Sequence, residues 1–484
     1  MNTKSIKINA VLNAMRLVLG MLFQLITYPY VTRVLHAEYL GRVTYSQSIV
    51  SYFSLIAALG VGTYAVREGA KFRNERSKIE QFASEVFTTN IITTIFAYIL
   101  LGIVLLTFSK FQEYTSLIVL LSSSILFTTI GIDWINVIFE DFLIITLRGI
   151  AIQFINMILI FLFVKSQEDY YLYAFLTITS SLIICVWNFF YCRRYIHIRI
   201  TKACNFFKHI KLMVVFFANS LAITIYCNAD STMIGWSIGD ACVGIYAVAV
   251  KVYSIVKGLL ASVYTVCIPR LSNYYSNGEI NHFSQLIEKI MSGLIIISVP
   301  TMTGLIMIAK PIVLVLAGSG YESAVFTLQI LSVALIFAVI GGMFSNCFNI
   351  PMGKERLSLV ATMIAAFLNI ALNVIVIPRW KHDGAAVTTV IAELSVLLIC
   401  FFANKDIRKI IHWKRIAINA TQSIIGSVVV ALLCWIVEMY INNNLICCAI
   451  SFIAAVVLYI VVLYVLKNEL IMDTILRIKN KTHR

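Results

Sequence analysis

Between residues 9 and 27, Asn9, Asn13, Arg16, Gly20, Gln24 and Thr27 recur every three or four positions within an otherwise apolar run. At helical periodicity they fall on one face, a polar stripe with one cation. A second stripe is built from Gly244, Ala247, Lys251, Ser254, Gly258, Ser262 and Thr265. Arginine and lysine hold phosphate by charge-assisted hydrogen bonds, so both stripes suit an anion carried through an apolar medium. Each has a plainer reading. Arg16 can snorkel to the headgroups or pair with a neighbouring helix. The small residues around Lys251 can form a packing seam, in which case the lysine needs an acid. Asp230, in the preceding apolar run, is the nearest candidate. Lys257 lies about 120° off the Lys251 face.

Other charges interrupt apolar runs. Arg148 sits a turn into its run, and Asp133, Glu140 and Asp141 precede it. Glu393 lies mid-run, a turn after Thr389, where it binds a coupling cation or proton or pairs with a neighbouring helix. A charge at the centre of a bilayer costs ~3 kcal/mol on insertion scales, so each of these groups needs a cavity or a partner. Arg33, Arg67 and Arg270 stand at the ends of runs and read as interface anchors.

The elements carrying these residues are transmembrane helices. The chain has 484 residues, 60% hydrophobic and 13% charged, and a mean hydropathy of +0.90. A soluble domain averages roughly 25% charged residues. Runs long enough to span a bilayer fall near 8–33, 43–66, 84–108, 115–138, 142–164, 169–191, 211–236, 241–268, 285–309, 325–348, 357–377, 384–403, 415–438 and 445–466, since about 20 residues are needed per pass. The expected fold is an all-α polytopic membrane protein of about fourteen spans. The first run is too long for a signal-peptide core and reads as a retained span. With a cytoplasmic N-terminus, 27 of the 38 Lys and Arg residues fall in cytoplasmic segments. That excess places both termini in the cytoplasm. The basic loops then meet anionic membrane lipids, and the net charge of +15 calls for no nucleic-acid partner.

An internal repeat runs at an offset of 203: Leu40-Gly41 matches Val243-Gly244, with Glu38 and Asp240 just upstream, and Arg67 matches Arg270. At an offset of 213, Phe154-Ile155-Asn156 resembles Phe367-Leu368-Asn369. Six spans per repeat preserve topology, which makes the repeats parallel and places a substrate path between them. The expected organisation is a six-helix lobe over 1–200, a second over 201–404, and a helix pair with a basic tail over 405–484.

No P-loop, HExxH or GxSxG pattern occurs, and the seven histidines are dispersed, mostly in loops. The eleven cysteines lie mostly in apolar runs without metal-ligand spacing. No enzyme, metal or cofactor is expected.

Several segments resemble the Wzx-type O-antigen and capsule repeat-unit flippases: Thr27 to Gly41 (TYPYVTRVLHAEYLG), Gln47-Ser48-Ile49, Tyr64 to Glu68, Gly239 to Tyr246, Ile268 to Leu271, Ile350 to Lys354, and Ile377-Pro378 through Asp383 to Ala386 and Glu393. The resemblance covers nearly the whole chain. It implies membership of the multidrug/oligosaccharidyl-lipid/polysaccharide exporter superfamily, with two rocking lobes around a cation-lined cavity in a bacterial inner membrane. It implies an undecaprenyl-pyrophosphate-linked oligosaccharide as cargo, flipped from the cytoplasmic to the outer leaflet, with a polymerase and a chain-length regulator as partners. Related lipid II flippases have a basic residue at a position similar to Lys251. The family usually has glycine where this chain has His36, which argues against a tight turn there. Two other readings stand beside it: a cation-coupled drug exporter using Asp230 and Glu393, which a cationic lumen disfavours, and a membrane-bound polymerase or ligase, for which a large external loop is missing.

Overall fold

A computed structural model describes residues 6–201 and 205–473, with side chains from Leu19 onward except Val215, Asn219 and Lys409. The side chains of Asn13 and Arg16 therefore lie outside the described residues. Helices α1 (Ile6–Ala58), α2 (Val61–Gly69), α3 (Arg76–Thr107), α4 (Thr115–Gly131), α5 (Trp134–Ile138), α6 (Phe142–Phe163), α7 (Tyr170–Cys192) and α8 (Phe206–Ser237) form one compact unit, residues 1–244. The second unit, 245–484, holds α9 (Asp240–Thr265) beyond its first turn, α10 (Ile268–Ser276), α11 (Ile280–Met307), α12 (Ala309–Ala317), α13 (Ala324–Met343), α14 (Glu355–Ala403), α15 (Lys405–Ile410), α16 (Trp413–Tyr440) and α17 (Asn444–Val465). Among the described residues there is no strand. Eleven helical segments are long and apolar enough to cross a membrane, or twelve with the bent pair in α8 taken as one.

Along residues 88–106 of α3, side-chain polarity is the reverse of a soluble protein's. Ile92, Ile95, Phe96, Ile99, Ile103 and Leu106 of α3 point outward, whereas Thr88, Thr89, Asn90, Thr93 and Thr94 are buried. In water the outward face would carry a large hydrophobic penalty, whereas lipid removes it. The inward polar residues satisfy backbone groups that lipid cannot. Asn90 Nδ2 and Thr93 Oγ1 both donate to the carbonyl of Ala57, at 2.8 and 2.6 Å, one of the acceptors orphaned at the end of α1.

Two of the apolar segments are too long for one straight pass. At 1.5 Å per residue, a 53-residue helix would run ~80 Å, against a hydrocarbon core of ~30 Å. Helix α1 breaks at His36 (φ 56°, ψ 172°), and α14, of 49 residues, breaks at Lys381 (φ 52°, ψ −133°). The absence of glycine at position 36 thus does not prevent a sharp turn, contrary to the expectation from sequence. Packing on both sides holds His36 in a backbone region that is almost confined to glycine.

The repeat shows in the backbone. Residue 239, at the same offset of 203 from His36, is a glycine with φ 129°. Four residues past His36 and Gly239, Leu40-Gly41 and Val243-Gly244 occupy matching positions in the following helices. A Cβ on Gly41 would lie 1.8 Å from the Asp240 carbonyl oxygen, and one on Gly244 would lie 1.9 Å from that of Ala37. The contact is reciprocal, because 37 and 41 map onto 240 and 244. Beside it, Asp240 accepts from Arg42 Nε at 3.3 Å and from the Tyr114 hydroxyl at 2.9 Å. Glu113 also pairs with Arg42. Arg67 and Arg270 likewise sit on comparable elements, the nine-residue helices α2 and α10. The second lobe is expected from sequence to begin at 201, whereas α8 packs on α1, α2 and α3 within the first compact unit.

Residues 196–201 run as an extended strap along α3. The backbone N–H groups of His197, Arg199 and Thr201 donate to Glu80 Oε1, Ser84 Oγ and Thr88 Oγ1 at 3.1, 3.2 and 3.1 Å. The match is metric: two extended residues advance about 6.6 Å, and four helical residues about 6 Å. At the end of the strap His209 is buried rather than in a loop. Its Nδ1 meets the Tyr64 hydroxyl at 2.8 Å and its Nε2 meets Glu85 Oε2 at 2.9 Å.

Candidate functional site

The faces of α9 divide the site. Tyr246, Tyr253, Leu260 and Tyr264 are buried within the second unit. Ser254, Ser262 and Thr265 are exposed, with Gly258 half-buried between them and Lys251 half-buried one turn before. The small polar stripe expected from spacing therefore lies open along α9. A third face carries Leu259 and Val266, which are exposed and apolar.

The buried face meets α14. Glu393 is buried and accepts two bonds on Oε1, from Tyr253 at 2.9 Å and from Lys257 Nζ at 2.5 Å. One turn earlier, the Thr389 hydroxyl lies 3.4 Å from the Tyr246 hydroxyl. Sequence spacing marked Lys257 as lying off the main stripe; the structure shows that this offset turns it toward the carboxylate. Deeper in α14, Asn369, Asn373 and Thr388 form a closed buried network across the two arms, with Thr388 donating to Asn373 Oδ1 at 2.5 Å and Asn373 to Asn369 Oδ1 at 3.2 Å.

An apolar groove of about 480 Å³ adjoins α9 in the same unit, lined by α11, α12, α16 and α17 and by Val256 of α9. Pro300 and Gly304 of α11 and Phe452 and Ala455 of α17 are among its walls. Tyr459 is pinned at its edge, donating to the Ile296 carbonyl at 2.7 Å with Ser423 Oγ 2.8 Å away.

In the first unit, Gln24 is exposed on the α1 stripe, and Gly20 is buried where α1 meets Gln153 of α6. Arg33 is exposed and donates to the Pro29 carbonyl at 2.8 Å. Arg148 is buried, its side chain 4% exposed. Its guanidinium donates to Asp133 Oδ1 at 2.9 Å and Asn188 Oδ1 at 2.8 Å. Asn188 also takes a bond from Asn136 and reaches the carbonyl of Gly131. Asp133 is 58% exposed, so a ligand would reach Arg148 by displacing that carboxylate. Asp141 accepts the hydroxyls of Tyr191 and Tyr195 at 2.6 and 2.7 Å, and Glu140 accepts from Arg73 at 2.8 Å. Asn136 and Asn188, 52 positions apart with the whole of α6 between them, were not singled out from sequence; a lone asparagine in each apolar run was the available signal.

Asp230 is buried in α8. Arg67 is exposed beside Glu68, and Arg270 donates to the Tyr274 hydroxyl at 2.8 Å on α10. Among the described residues no group of three His, Cys, Asp or Glu side chains is arranged to hold a metal ion.

Long helices with outward apolar faces, buried polar networks and an open polar stripe define a polytopic helical membrane protein. Its fold is that of two-lobed membrane transporters. It is similar to lipid II flippase MurJ in an inward closed conformation, with a TM-score of 0.71 at 16% identity over 96% of this chain and 99% of that one. It also resembles an inward-facing MATE family multidrug resistance transporter of the MOP superfamily, with a TM-score of 0.60 at 14% identity over 81% and 96%. The chain belongs to the polysaccharide biosynthesis protein family, whose pattern matches residues 6–275. Relatives include a putative O-antigen transporter of Escherichia coli K12, 23% identical over 80% of this chain and 94% of that protein. Another is the capsular polysaccharide biosynthesis protein CapF of Staphylococcus aureus, 24% identical over 76% and 92%. The family expected from the sequence motifs is thereby established.

Proposed function

We propose that this chain is a flippase that moves an undecaprenyl-pyrophosphate-linked oligosaccharide from the cytoplasmic to the outer leaflet of a bacterial inner membrane, for O-antigen or capsule synthesis. The observation that carries this reading is the division of α9. Val256 lines the apolar groove, while Ser254, Ser262 and Thr265 expose a polar face with Lys251 beside it. A ligand with an anionic, sugar-bearing head and a long apolar tail matches both surfaces at once. Relatives named as O-antigen transporter and lipid II flippase support the same reading.

In this reading Lys251, Arg16, Asn13 and Gln24 meet the head, and Arg148 engages it by exchanging Asp133. Asp230 and Glu393 carry coupling or structural ion-pair roles, and Arg33, Arg67 and Arg270 anchor the interfaces. The long segments α1 and α14 each cross twice, turning at His36 and Lys381. With α8 as one bent pass the spans then number fourteen, both termini being cytoplasmic. The repeat assigns six spans to residues 1–200, six to 201–404 and the final pair to 405–484. Anionic lipids meet the basic loops, and a polymerase and chain-length regulator receive the product. No ATP site is needed: with the cytoplasm negative, each negative charge moved outward gains about 2.3 kcal/mol per 100 mV.

The test is reconstitution in proteoliposomes with a fluorescent polyprenyl-pyrophosphate glycan, read by a membrane-impermeant glycosidase. Wild-type protein should make the inner-leaflet substrate accessible, faster at a potential that drives the anion across, and Lys251→Ala and Arg16→Ala should each slow it at unchanged insertion. Flipping equal to protein-free vesicles, or no loss in either variant, would refute the assignment.

A further inference from the structure

The ion pair between Lys257 and Glu393 is asymmetric. The Glu393 side chain is 7% exposed and the Lys257 side chain 35% exposed. Glu393 Oε1 has a second donor, the Tyr253 hydroxyl at 2.9 Å. Departure of the lysine would therefore leave the buried carboxylate still hydrogen-bonded, which avoids most of the penalty of stranding a charge. Lysine's flexible four-carbon stem lets its ammonium change partners without moving the helix.

The direction in which it can move follows from the helix. At 100° per residue, Lys257 lies about 100° from the centre of the stripe formed by Ser254, Gly258, Ser262 and Thr265. It lies about 120–180° from the apolar side chains of Leu259, Val263 and Val266. Its exposed end thus borders the polar face and turns away from the lipid-facing one. The exposed hydroxyls of Ser254, Ser262 and Thr265 donate to carbonyls of their own helix, at 3.1, 2.6 and 3.1 Å.

We propose that Lys257 is a transferable cation: Glu393 holds it while the site is empty, and it passes to the anionic head of the cargo when that head reaches the α9 stripe. Tyr253 is the positioning residue that keeps Glu393 bonded during the exchange. No covalent step is involved; one charge-assisted hydrogen bond replaces another. This rests on the flippase reading and adds to it a device for release. Glu393 competes with the substrate for the same ammonium, so binding stays reversible and the head is not trapped.

The competition predicts effects of opposite sign. Full-length protein in nanodiscs is titrated with farnesyl pyrophosphate as probe and farnesol as its uncharged counterpart, with thermal stability followed in parallel. Glu393→Gln keeps an acceptor for Tyr253 but weakens the hold on Lys257, so the pyrophosphate should bind about tenfold tighter, and flipping should slow because release slows. Lys257→Met should weaken pyrophosphate binding about tenfold and leave farnesol binding unchanged. Lys257→Arg gives a second handle should Glu393→Gln not fold. Its bidentate grip on the carboxylate preserves the pair and the stability, yet pyrophosphate binding should weaken. Equal affinities in wild type and Glu393→Gln, or an Lys257→Arg protein with wild-type affinity, would make the pair merely structural and overturn the proposal. A wild-type protein that binds farnesyl pyrophosphate no better than farnesol would instead defeat the flippase reading, and this inference with it.

Discussion

His36→Gly should stabilise the protein. The His36 backbone sits at φ 56° and ψ 172°, a region that costs a non-glycine residue of order 1–3 kcal/mol. The imidazole is exposed, so its removal forfeits little packing. Against the relief stands the larger conformational freedom of glycine in the unfolded chain, worth roughly 0.5–1 kcal/mol. The balance is a gain of about 1–2 kcal/mol. Because polytopic proteins unfold irreversibly, the suitable readout is the rate of thermal inactivation in detergent, followed by loss of monodisperse protein at a fixed temperature. With the turn opened in the rate-limiting step, the half-life should rise about fivefold or more. His36→Ala is the control, since it removes the same ring but keeps a Cβ in the strained region. It should live no longer than wild type. A glycine variant whose half-life equals that of the alanine variant would show that the turn stores no strain.

Three further outcomes are expected. Gly41→Ala and Gly244→Ala place a Cβ 1.8 and 1.9 Å from backbone carbonyl oxygens, which forces the helices apart and should cost about 1–3 kcal/mol or more. Gly62→Ala, with open space around its Cβ, should be tolerated, and comparable losses in all three by thermal unfolding would dismiss the close crossing. Arg148→Met should destabilise by about 1–3 kcal/mol, because it strips a donor from buried Asn188; Asp133→Asn, on the exposed side of the pair, should cost less, and the reverse order in thermal unfolding would contradict the geometry. A cysteine replacing Ile200, which is 71% exposed on the strap, should react with an impermeant thiol reagent only from the cytoplasmic side, above the background of exposed Cys227; labelling from outside would invert the proposed topology.

Much of the architecture was legible because the bilayer imposes a one-dimensional rule. An apolar run of sufficient length must become a helix with its backbone bonds closed internally. The long runs, the all-helical class, the repeat at 203 residues and the family motifs are properties of residue order alone. The α9 stripe was readable for a related reason, since helical periodicity places Lys251, Ser254, Gly258 and Ser262 on one face whatever surrounds it. Partners were not readable. Lys257 and Glu393 are 136 positions apart, and their meeting depends on how α9 and α14 are rotated about their own axes. The same holds for Arg148, for which the sequence left open either a cavity or a partner. Two asparagines from distant runs, Asn136 and Asn188, enclose it. At His36 local preference pointed away from a turn, yet the helices on either side impose one. Local chemistry decides what each helix exposes; only the packed helices decide which polar group answers which, because a buried charge takes the partner that rotation and register bring to it.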